Sequence, residues 1–378
     1  MVNESRQEYV EVMRRRYAGA GRLYRQKLLD EVCEVCGYHR KYAIELLNRK
    51  SLKRRCSPGP RRIYGDAVQE VLKELWLLMS RPCSRLLKAN LPFWLPHYER
   101  QHPLLLPLRA KVLQISRASI DRLLKPVRRK YGSHGLGATR PVSSLKHQVP
   151  IRTHHDDVVE PGYIQADSVA HGGNSTEGEF VWSITLTDVF SQWTECRAVW
   201  NKGYSDIAKA IQQIEETLPF RIKGFHSDNG GEFLNHHLYR YFLNREVKVE
   251  LTRTRPDHKD DNAYVEQKNW NHVRQLLGYQ RIDNPSLLAT VNRLYEAWNL
   301  YRNFFCSTQK LLSKIKIGSR YYRRYEEKPK TPAQRIFEAS STDEAIKTHL
   351  TGILVHIDPI KLKSLIDHHQ HIVLSALR

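Results

Sequence analysis

The chain has 378 residues, enough for two or three domains rather than one. Its 61 Lys+Arg against 40 Asp+Glu give a formal net charge of +21, which indicates a polyanionic partner, nucleic acid before an anionic membrane. A hydrophobic content of 40% excludes global disorder. The sequence contains no apolar run long enough to predict a membrane span, and its N-terminal residues lack the apolar stretch of a secretory signal. Six Cys are ordinary usage for a reducing compartment, so we expect a cytoplasmic protein.

The positive charge is concentrated at two places along the chain. Residues 1–150 carry 31 Lys+Arg against 12 Asp+Glu, and residues 310–335 carry 9 against 2. Residues 151–309 are mildly acidic, with 17 against 21. This distribution favours an enzyme whose carboxylate-rich middle works on a polyanion held by basic flanks. A solvated basic surface is the alternative.

The first 130 residues are predicted to be mostly helical, with two candidate helix-turn-helix units. In the first, Leu28–Val35 and His39–Asn48 flank the turn Cys36–Tyr38, and Ala43, Leu46 and Leu47 form the inward stripe. In the second, Val112–Arg129 contains a turn at Ile115–Arg117, where Ser116 or Ser119 could cap the next helix. Asp66–Met79 lies between them as a further helix, and the proline-containing stretch Leu91–Leu108 is expected to turn between helices.

We therefore expect a helix-turn-helix DNA-binding domain over residues 1–62 and a second helical, helix-turn-helix-like domain over residues 63–130. Ordinary helical hairpins are the alternative for each. The candidate DNA contacts on these helices are Arg40, Lys41, Arg117 and Arg122. Residues 131–155 are rich in Gly, Ser and Pro, have no sustained period and are expected to form a linker.

From Gly162 onward the period of the apolar residues changes to two. The pattern predicts an α/β fold with a five-stranded mixed sheet, whose first three strands are antiparallel. The predicted strands are 163–167, 179–187, 194–200, 221–226 and 247–251, and the predicted helices are 205–218, 231–244 and 262–279.

Three carboxylates stand where this sheet would carry a site. Asp167 ends the first strand, Asp228 follows the fourth, and Glu266 lies in the first turn of the long helix. Strand ends on one edge of an α/β sheet meet, and ligands bind there. Counting along the helix puts Glu266 on a buried stripe with Trp270 and Val273, so we expect it to point inward and need a compensating charge.

Divalent cations would supply that charge. Carboxylate oxygens are the ligands that Mg²⁺ or Mn²⁺ prefers, and two such ions can activate the attacking oxygen and stabilise the leaving oxygen of a phosphoryl transfer. Taken singly, each acid has an ordinary explanation as a strand end, a turn residue or a helix N-terminal acid. Asp188 also follows a strand, but it is interpreted as a turn residue.

Four motifs, YIQAD, LTDVFSQWTECRAV, FHSDNGGEF and DNAYVEQKNW, occur in this order over about residues 155–305. Together they resemble the catalytic core of DDE-type insertion-sequence transposases, which are related to retroviral integrases. The resemblance implies an RNase H-like core over residues 156–309, with Asp167, Asp228 and Glu266 as the catalytic and metal-binding triad. The 37 residues between the last two are close to the best-known family spacing. A zinc-binding HHCC module, found in retroviral integrases, is not evident.

The resemblance further implies a DNA transposase in a prokaryotic, nucleoid-associated setting. Its partners would be the duplex DNA of terminal inverted repeats and targets, with a homodimer or higher oligomer on DNA and no membrane. Lys259, Lys268 and Asn269 flank Glu266 as candidate DNA contacts, and His226 and Asn229 are candidates to support the site. A non-catalytic DNA-binding regulator and an RNase H-like nuclease remain as alternatives.

The C-terminal part, residues 310–378, is expected to be a basic segment followed by a helical tail. Lys310–Arg335 mixes cations with Tyr321, Tyr322 and Tyr325, a combination that suits nucleic-acid binding by backbone contact and stacking. A basic linker is the alternative. Asp358-Pro359 is typical of an N-cap and first helical position.

Overall fold

The computed structural model describes residues 3–48, 63–131, 149–152, 157–228, 230, 233, 235–255, 263–317 and 319–377. They divide into two compact units, Met1–Ile63 and Tyr64–Arg378. Two residues predicted for the site, Asn229 and Lys259, and most of the predicted linker lie outside the described residues. No helix in the described ranges is long and apolar enough to cross a membrane.

Over its described residues, 3–48 and 63, the first unit is a cluster of three helices. Its helices are α1 (Asn3–Ala18), α2 (Arg22–Cys36) and α3 (Arg40–Asn48). Helix α2 ends at Gly37, which has φ of 66° and adopts the left-handed conformation that glycine tolerates best. The predicted helix pair and its short turn are confirmed. Ala43, Leu46 and Leu47 are buried against α1 and α2, as the apolar spacing predicts.

The second unit begins with four helices, α4 (Asp66–Leu78), α5 (Ser84–Glu99), α6 (Leu106–Gln114) and α7 (Arg117–Arg128). The predicted cap is confirmed, since the Ser116 hydroxyl accepts a hydrogen bond from the Ser119 backbone N–H at 3.2 Å. This bond fixes where α7 begins after the break at Ile115 and Ser116.

The prediction that residues 91–108 turn between helices is wrong for the first part of that stretch. Helix α5 continues through Pro92 and Pro96 as far as Glu99. An internal proline costs a helix about 3 kcal/mol. Burial of Leu91, Trp94 and several neighbouring apolar side chains outweighs that cost, since each buried side chain of this size contributes about 2–3 kcal/mol.

A five-stranded mixed sheet follows, which confirms the predicted fold class. Its elements are β1 (Tyr163–Ala170), β2 (Val181–Asp188), β3 (Thr194–Trp200), α8 (Tyr204–Thr217), β4 (Gly224–Ser227), α9 (His236–Leu243) and β5 (Glu250–Arg253). The spatial order is β3-β2-β1-β4-β5. The first three strands are antiparallel, and β4 and β5 run parallel to β1.

The long helix predicted after the sheet is interrupted. It consists of α10 (Ala263–Lys268), a π-helical turn (Asn269–Arg274) and α11 (Gln275–Leu277), and it is followed by α12 (Leu288–Phe305). A π-helical turn adds a residue to the repeat and is often found at functional sites. It changes which residues of the helix face the core, and this affects the predicted orientation of Glu266.

Helix α12 closes the outer edge of the sheet with side-chain amides. Three asparagines on its buried face each accept a hydrogen bond from one backbone N–H of β3 and donate to the carbonyl of the same residue. The pairs are Asn292 with Ala198, Asn299 with Cys196 and Asn303 with Thr194, at distances of 2.8–3.1 Å. The amides take the place of a sixth strand, so the edge presents no unpaired backbone groups at these three positions.

The helices α4–α7 share a hydrophobic core with α12. The Trp94 indole N–H donates to the carbonyl of Phe305 at 2.9 Å, and the Tyr301 hydroxyl donates to the carbonyl of Leu78 at 2.5 Å. Residues 63–130, expected as a domain of their own, therefore belong to one compact unit with the sheet.

The C-terminal part consists of a hairpin and three helices. They are β6 (Leu311–Ile317), β7 (Arg320–Tyr325), α13 (Pro332–Glu338), α14 (Glu344–His356) and α15 (Pro359–Ser375). Most of the basic segment is thus an antiparallel hairpin rather than a linker. The predicted cap of the last helix is confirmed, because Asp358 accepts the N–H of Ile360 at 2.8 Å. Helix α15 packs against α12.

We predict that Asn299→Ala lowers the free energy of unfolding by about 2–4 kcal/mol, because it leaves two buried backbone groups of Cys196 without partners. Urea unfolding followed by tryptophan fluorescence would measure the loss. Asn244→Ala, an exposed position at the end of α9, is the control and should change stability little. Equal effects of the two changes would contradict a role for the edge contact.

A buried acid beside this edge predicts a pH dependence. Burial raises the pKa of Glu195 to about 8, against hydrogen bonds from Trp193 and Asn303 that favour its ionised form. Because the folded state holds this proton more tightly, the stabilisation is complete below pH 4.5 and is lost as the pH rises toward 8.

We therefore expect Glu195→Gln to become more stable relative to the wild type between pH 5 and 8, by up to about 1.4 kcal/mol per pH unit. Urea unfolding at several pH values would measure the slope. The exposed Glu179→Gln serves as the control and should leave the slope unchanged. A pH-independent difference for Glu195→Gln would show that the residue does not titrate in this window.

Candidate active site

Two of the three predicted carboxylates are neighbours in the sheet. The parallel register pairs Gln165 with His226 and Ala166 with Ser227, so the next position along brings Asp167 opposite Asp228. Adjacent strands lie about 4.8 Å apart, and residues at matching positions point to the same face. Both aspartates are half-buried. The register therefore predicts that they lie side by side where β4 ends.

Helix α10 packs against β1 and β2, beside Asp167. The Val265 backbone N–H donates to Oε1 of Gln165 at 3.3 Å, and the Asn269 amide Nδ2 donates to Oδ2 of Asp167 at 2.6 Å. Glu266 lies between these two contact residues in the chain. The Glu266 backbone therefore lies within one helical turn of Asn269, the residue that contacts Asp167. The other oxygen of Asp167, Oδ1, accepts the N–H of Ser168 at 2.8 Å.

The predicted orientation of Glu266 is wrong. Glu266 and Trp270 are exposed, whereas Val265 and Asn269 are buried. The buried face of α10 is set by the contacts with β1, and the π-helical turn then brings Val273 and Leu277 into phase with that face. Because Glu266 is exposed, its carboxylate does not need a cation to compensate for burial. The argument for a metal ion therefore rests on Asp167 and Asp228.

Lys268 and Asn269 were predicted as exposed DNA contacts, and the structure buries both. Lys268 is 5% exposed, and its burial, together with the neighbouring charges of Arg302 and Arg335, lowers its pKa to about 7. His272 is also buried, and burial holds its pKa well below the usual range. Asn269 uses its amide group on Asp167, so it acts inside the site rather than on its surface.

A layer of polar side chains lies under the two aspartates. His226, two residues before Asp228 and on the same face, shares a hydrogen bond of 2.9 Å between its Nδ1 and Oγ1 of Thr252. Gln165 is fully buried and holds the start of α10. Sequence reasoning named His226 but missed Gln165 and Thr252. The signal for Gln165 was a polar residue inside a buried strand, two positions before Asp167.

Asp188 is confirmed as a turn residue. It is fully buried at the end of β2, where its Oδ2 accepts the N–H of Ser191 at 2.7 Å and the Ser191 hydroxyl at 2.6 Å. Its Oδ1 accepts the N–H of Gly162 at 2.8 Å. These bonds shape the β2–β3 turn, and they use both carboxylate oxygens of Asp188 for structural hydrogen bonds.

The donor set suits a hard divalent cation. Asp167 and Asp228 offer carboxylate oxygens at adjacent positions, and Glu266 stands on the helix above them. In the described part of the chain, no group of three His, Cys, Asp or Glu side chains is close enough to hold a metal ion. Asp167, Asp228 and Glu266 therefore do not form a complete set of metal ligands, and Glu266 is the exposed residue of the three.

The other predicted contact residues lie on helix surfaces. Arg40 and Lys41 are exposed at the start of α3, where Arg40 pairs with Asp30. Arg117 and Arg122 are exposed on α7. Each pair is therefore accessible on its own unit, on a helix that follows a short turn.

The contact between Asn269 and Asp167 generates a prediction. Asn269→Asp would place a second carboxylate beside Asp167, and the like charges should lower the melting temperature in EDTA by about 2–6 °C. Mg²⁺ or Mn²⁺ should restore much of the loss. Asn271→Asp, two residues along the same turn, is the control. Loss without recovery by either ion would contradict a cation site at Asp167.

The central part of the chain matches a known domain family. The model of the integrase core domain family matches residues 159–256. That segment includes Asp167 and Asp228 and ends before Glu266. Among solved structures, the catalytic core domain of BIV integrase aligns with 17% identity over 37% of this chain and 82% of that chain, with a TM-score of 0.28.

A relative resembles the chain over most of its length. The uncharacterized protein y4rM of Sinorhizobium fredii (strain NBRC 101917 / NGR234) is 37% identical over 324 residues, which cover 85% of this chain and 92% of y4rM. The likeness therefore extends well beyond the integrase core into the flanking helical regions. The chain belongs to the same family as y4rM, and residues 159–256, which include most of its central sheet, match the integrase core domain.

Proposed function

We propose that the chain is a DNA transposase that cleaves the ends of a mobile element and joins them to target DNA. The observations that carry the proposal are the parallel register of β1 and β4, which brings Asp228, the residue after β4, to the position beside Asp167, and the contact of Asn269 with Asp167 on the helical segment that follows Glu266. Two hard oxygen donors at adjacent positions are what metal-assisted phosphoryl transfer requires of a protein.

Asp167, Asp228 and Glu266 would hold Mg²⁺ or Mn²⁺, with two ions in the complete site. Bound divalent ions supply activation of the attacking oxygen and stabilisation of the leaving oxygen. Glu266 is exposed on α10, a helix of six residues, and would complete the site from there. Asn269 would keep Asp167 oriented, and His226 would support the strand that ends at Asp228.

The reaction has two phosphoryl-transfer steps at this one site. In the first, water attacks the phosphorus at the element end, the P–O bond to the 3′ oxygen breaks, and that oxygen takes a proton to become a 3′-OH. In the second, the 3′ oxygen attacks a phosphorus of target DNA, loses its proton and releases a new 3′-OH from the target. No covalent link between protein and DNA is needed, so no Ser or Tyr nucleophile is required.

The basic helices would bind the DNA. Arg40 and Lys41 on α3, and Arg117 and Arg122 on α7, are exposed cations near the start of helices that follow short turns. Such helices can enter a groove or contact phosphates. The terminal inverted repeats and the target are the proposed ligands. Since two ends must be cut and joined together, we propose a homodimer or a higher oligomer on DNA in the cytoplasm.

Two other functions are separable by experiment. A non-catalytic DNA-binding regulator would bind the DNA that flanks its reading frame and cut nothing, with Mg²⁺ or with EDTA. An RNase H-like nuclease would cut RNA–DNA hybrids faster than DNA ends. The presence of all three carboxylates argues against the first, and the paired basic helices favour duplex DNA over hybrids.

We expect Glu266→Gln to reduce Mg²⁺-dependent cleavage of DNA ends by about a hundredfold or more while leaving DNA binding unchanged. Asp167→Asn and Asp228→Asn should act alike. The control is Gln267→Ala, the exposed neighbour on the same helix, which should keep its activity. Cleavage assays and gel shifts on the DNA flanking the reading frame measure both quantities. Full activity in Glu266→Gln would remove it from the triad.

A further inference from the structure

The hairpin β6–β7, residues 311–325, is here called the basic ribbon. All six residues of β7 are exposed, and Tyr321, Tyr322 and Tyr325 remain 49%, 55% and 43% exposed. An isolated two-stranded hairpin is only marginally stable in water, and outward-facing tyrosines contribute little to its folding. The exposed aromatic surface therefore suggests a partner.

The charge of the basic ribbon indicates what that partner is. Residues 311–325 include five Lys or Arg and no Asp or Glu. Arg320, Arg323 and Arg324 are exposed, and within the described residues none of them forms a salt bridge with a carboxylate. Three arginines crowded on one short strand repel one another unless an anion lies near. A nucleic-acid backbone is the polyanion that fits.

The cations occupy both faces of the basic ribbon. Alternate residues of a strand point to opposite faces, so Arg320, Tyr322 and Arg324 share one face. Tyr321, Arg323 and Tyr325 share the other, where the Arg323 guanidinium lies 5.8 Å from the centre of the Tyr321 ring. A hairpin lying flat on a surface would need cations on one face only. Cations on both faces suit a position between two rows of phosphates.

The base of the basic ribbon is fastened to the catalytic sheet. Arg335 is 5% exposed, pairs with Glu326 at 2.6 Å and donates to the carbonyl of Ser191 at 3.1 Å in the β2–β3 turn. Lys310 donates to the carbonyl of Phe190 in the same turn at 2.9 Å. These charge-assisted bonds fix the root of the hairpin. Whatever the basic ribbon binds is thereby held at a set position relative to β2.

We propose that the basic ribbon inserts into a groove of duplex DNA, with its arginines against the phosphates on either side. The major groove, about 12 Å wide, admits a two-stranded ribbon. The proposal rests on the proposed function, since it makes duplex DNA the ligand. It adds a DNA-binding element outside the helices α3 and α7 and gives the hairpin a role in holding the substrate.

The test compares two triple variants of the full chain. The first is Arg320→Gln, Arg323→Gln and Arg324→Gln. The control is Lys209→Gln, Arg221→Gln and Lys248→Gln, three exposed cations of which the last two lie at the opposite end of β4 and β5 from Asp228. Both remove three charges. Affinity for a 30-base-pair duplex is measured in EDTA over a range of salt concentrations, and folding is checked by thermal unfolding.

We expect the ribbon variant to lose about tenfold or more in affinity and to reduce the slope of log K against log salt by about 2–3, because each lost phosphate contact contributes about 0.9. The control should change the slope by less than about 1. Equal losses in the two variants, or no loss in the ribbon variant, would overturn the proposal. So would a loss for single-stranded DNA alone, or a change in oligomeric state with duplex affinity intact.

Failure of the proposed function gives a different result. These binding measurements contain no metal and require no cleavage, so they are independent of the triad. A wild-type chain that binds DNA through the basic ribbon yet never cuts it would retain this inference and lose the transposase assignment. If the ribbon variant instead keeps both its cleavage activity and its affinity for DNA, the transposase assignment is retained and this inference is lost.

Discussion

The parallel pairing of β1 with β4 is the interaction on which the proposed chemistry depends. It joins residues that are about 60 positions apart in the chain, and its register decides that Asp167 meets Asp228. A slip of one residue would turn one of the two aspartates to the other face of the sheet. The polar layer of Gln165, His226 and Thr252 lies at matching positions of β1, β4 and β5, and its hydrogen bonds tie β1 to α10 and β4 to β5. The proposed site therefore depends on the register of β1 and β4.

The flanking elements follow from the need to protect that sheet. Helix α12 covers the outer strand with its three amides, and its other contacts join it to α5 and α15 in one hydrophobic core. The hairpin of residues 311–325 is attached through Arg335 and Lys310 to the turn that Asp188 organises. Basic surface is thereby attached to the central sheet, a combination that suits an enzyme acting on a large anionic substrate.

Most of the fold could be predicted from the sequence, because period-two and period-3.6 patterns report which side chains face a core. The strands, the Ser116 cap and the inward stripe of α3 followed from such patterns. The errors arose where tertiary contacts overrode local rules. Pro92 and Pro96 stay inside α5 because their neighbours are deeply buried, and the π-helical turn cannot be read from spacing. Glu266 was therefore placed on the wrong face, and the partnership between Asn269 and Asp167, which joins residues 102 positions apart, was invisible in the chain.

In the described residues, the two outer strands of the central sheet are each partly covered. On one side, the α12 amides bond the backbone of β3. On the other side, the Arg152 backbone N–H donates to the carbonyl of Arg253, and the Arg253 N–H donates to the carbonyl of Pro150. Residues 150–152 therefore run beside β5 at Arg253. Two copies of the core thus have no ready route to a continuous intermolecular sheet through these strands. An assembly that brings two element ends together would instead be built from helical surfaces, or from the nucleic acid itself acting as the bridge between copies.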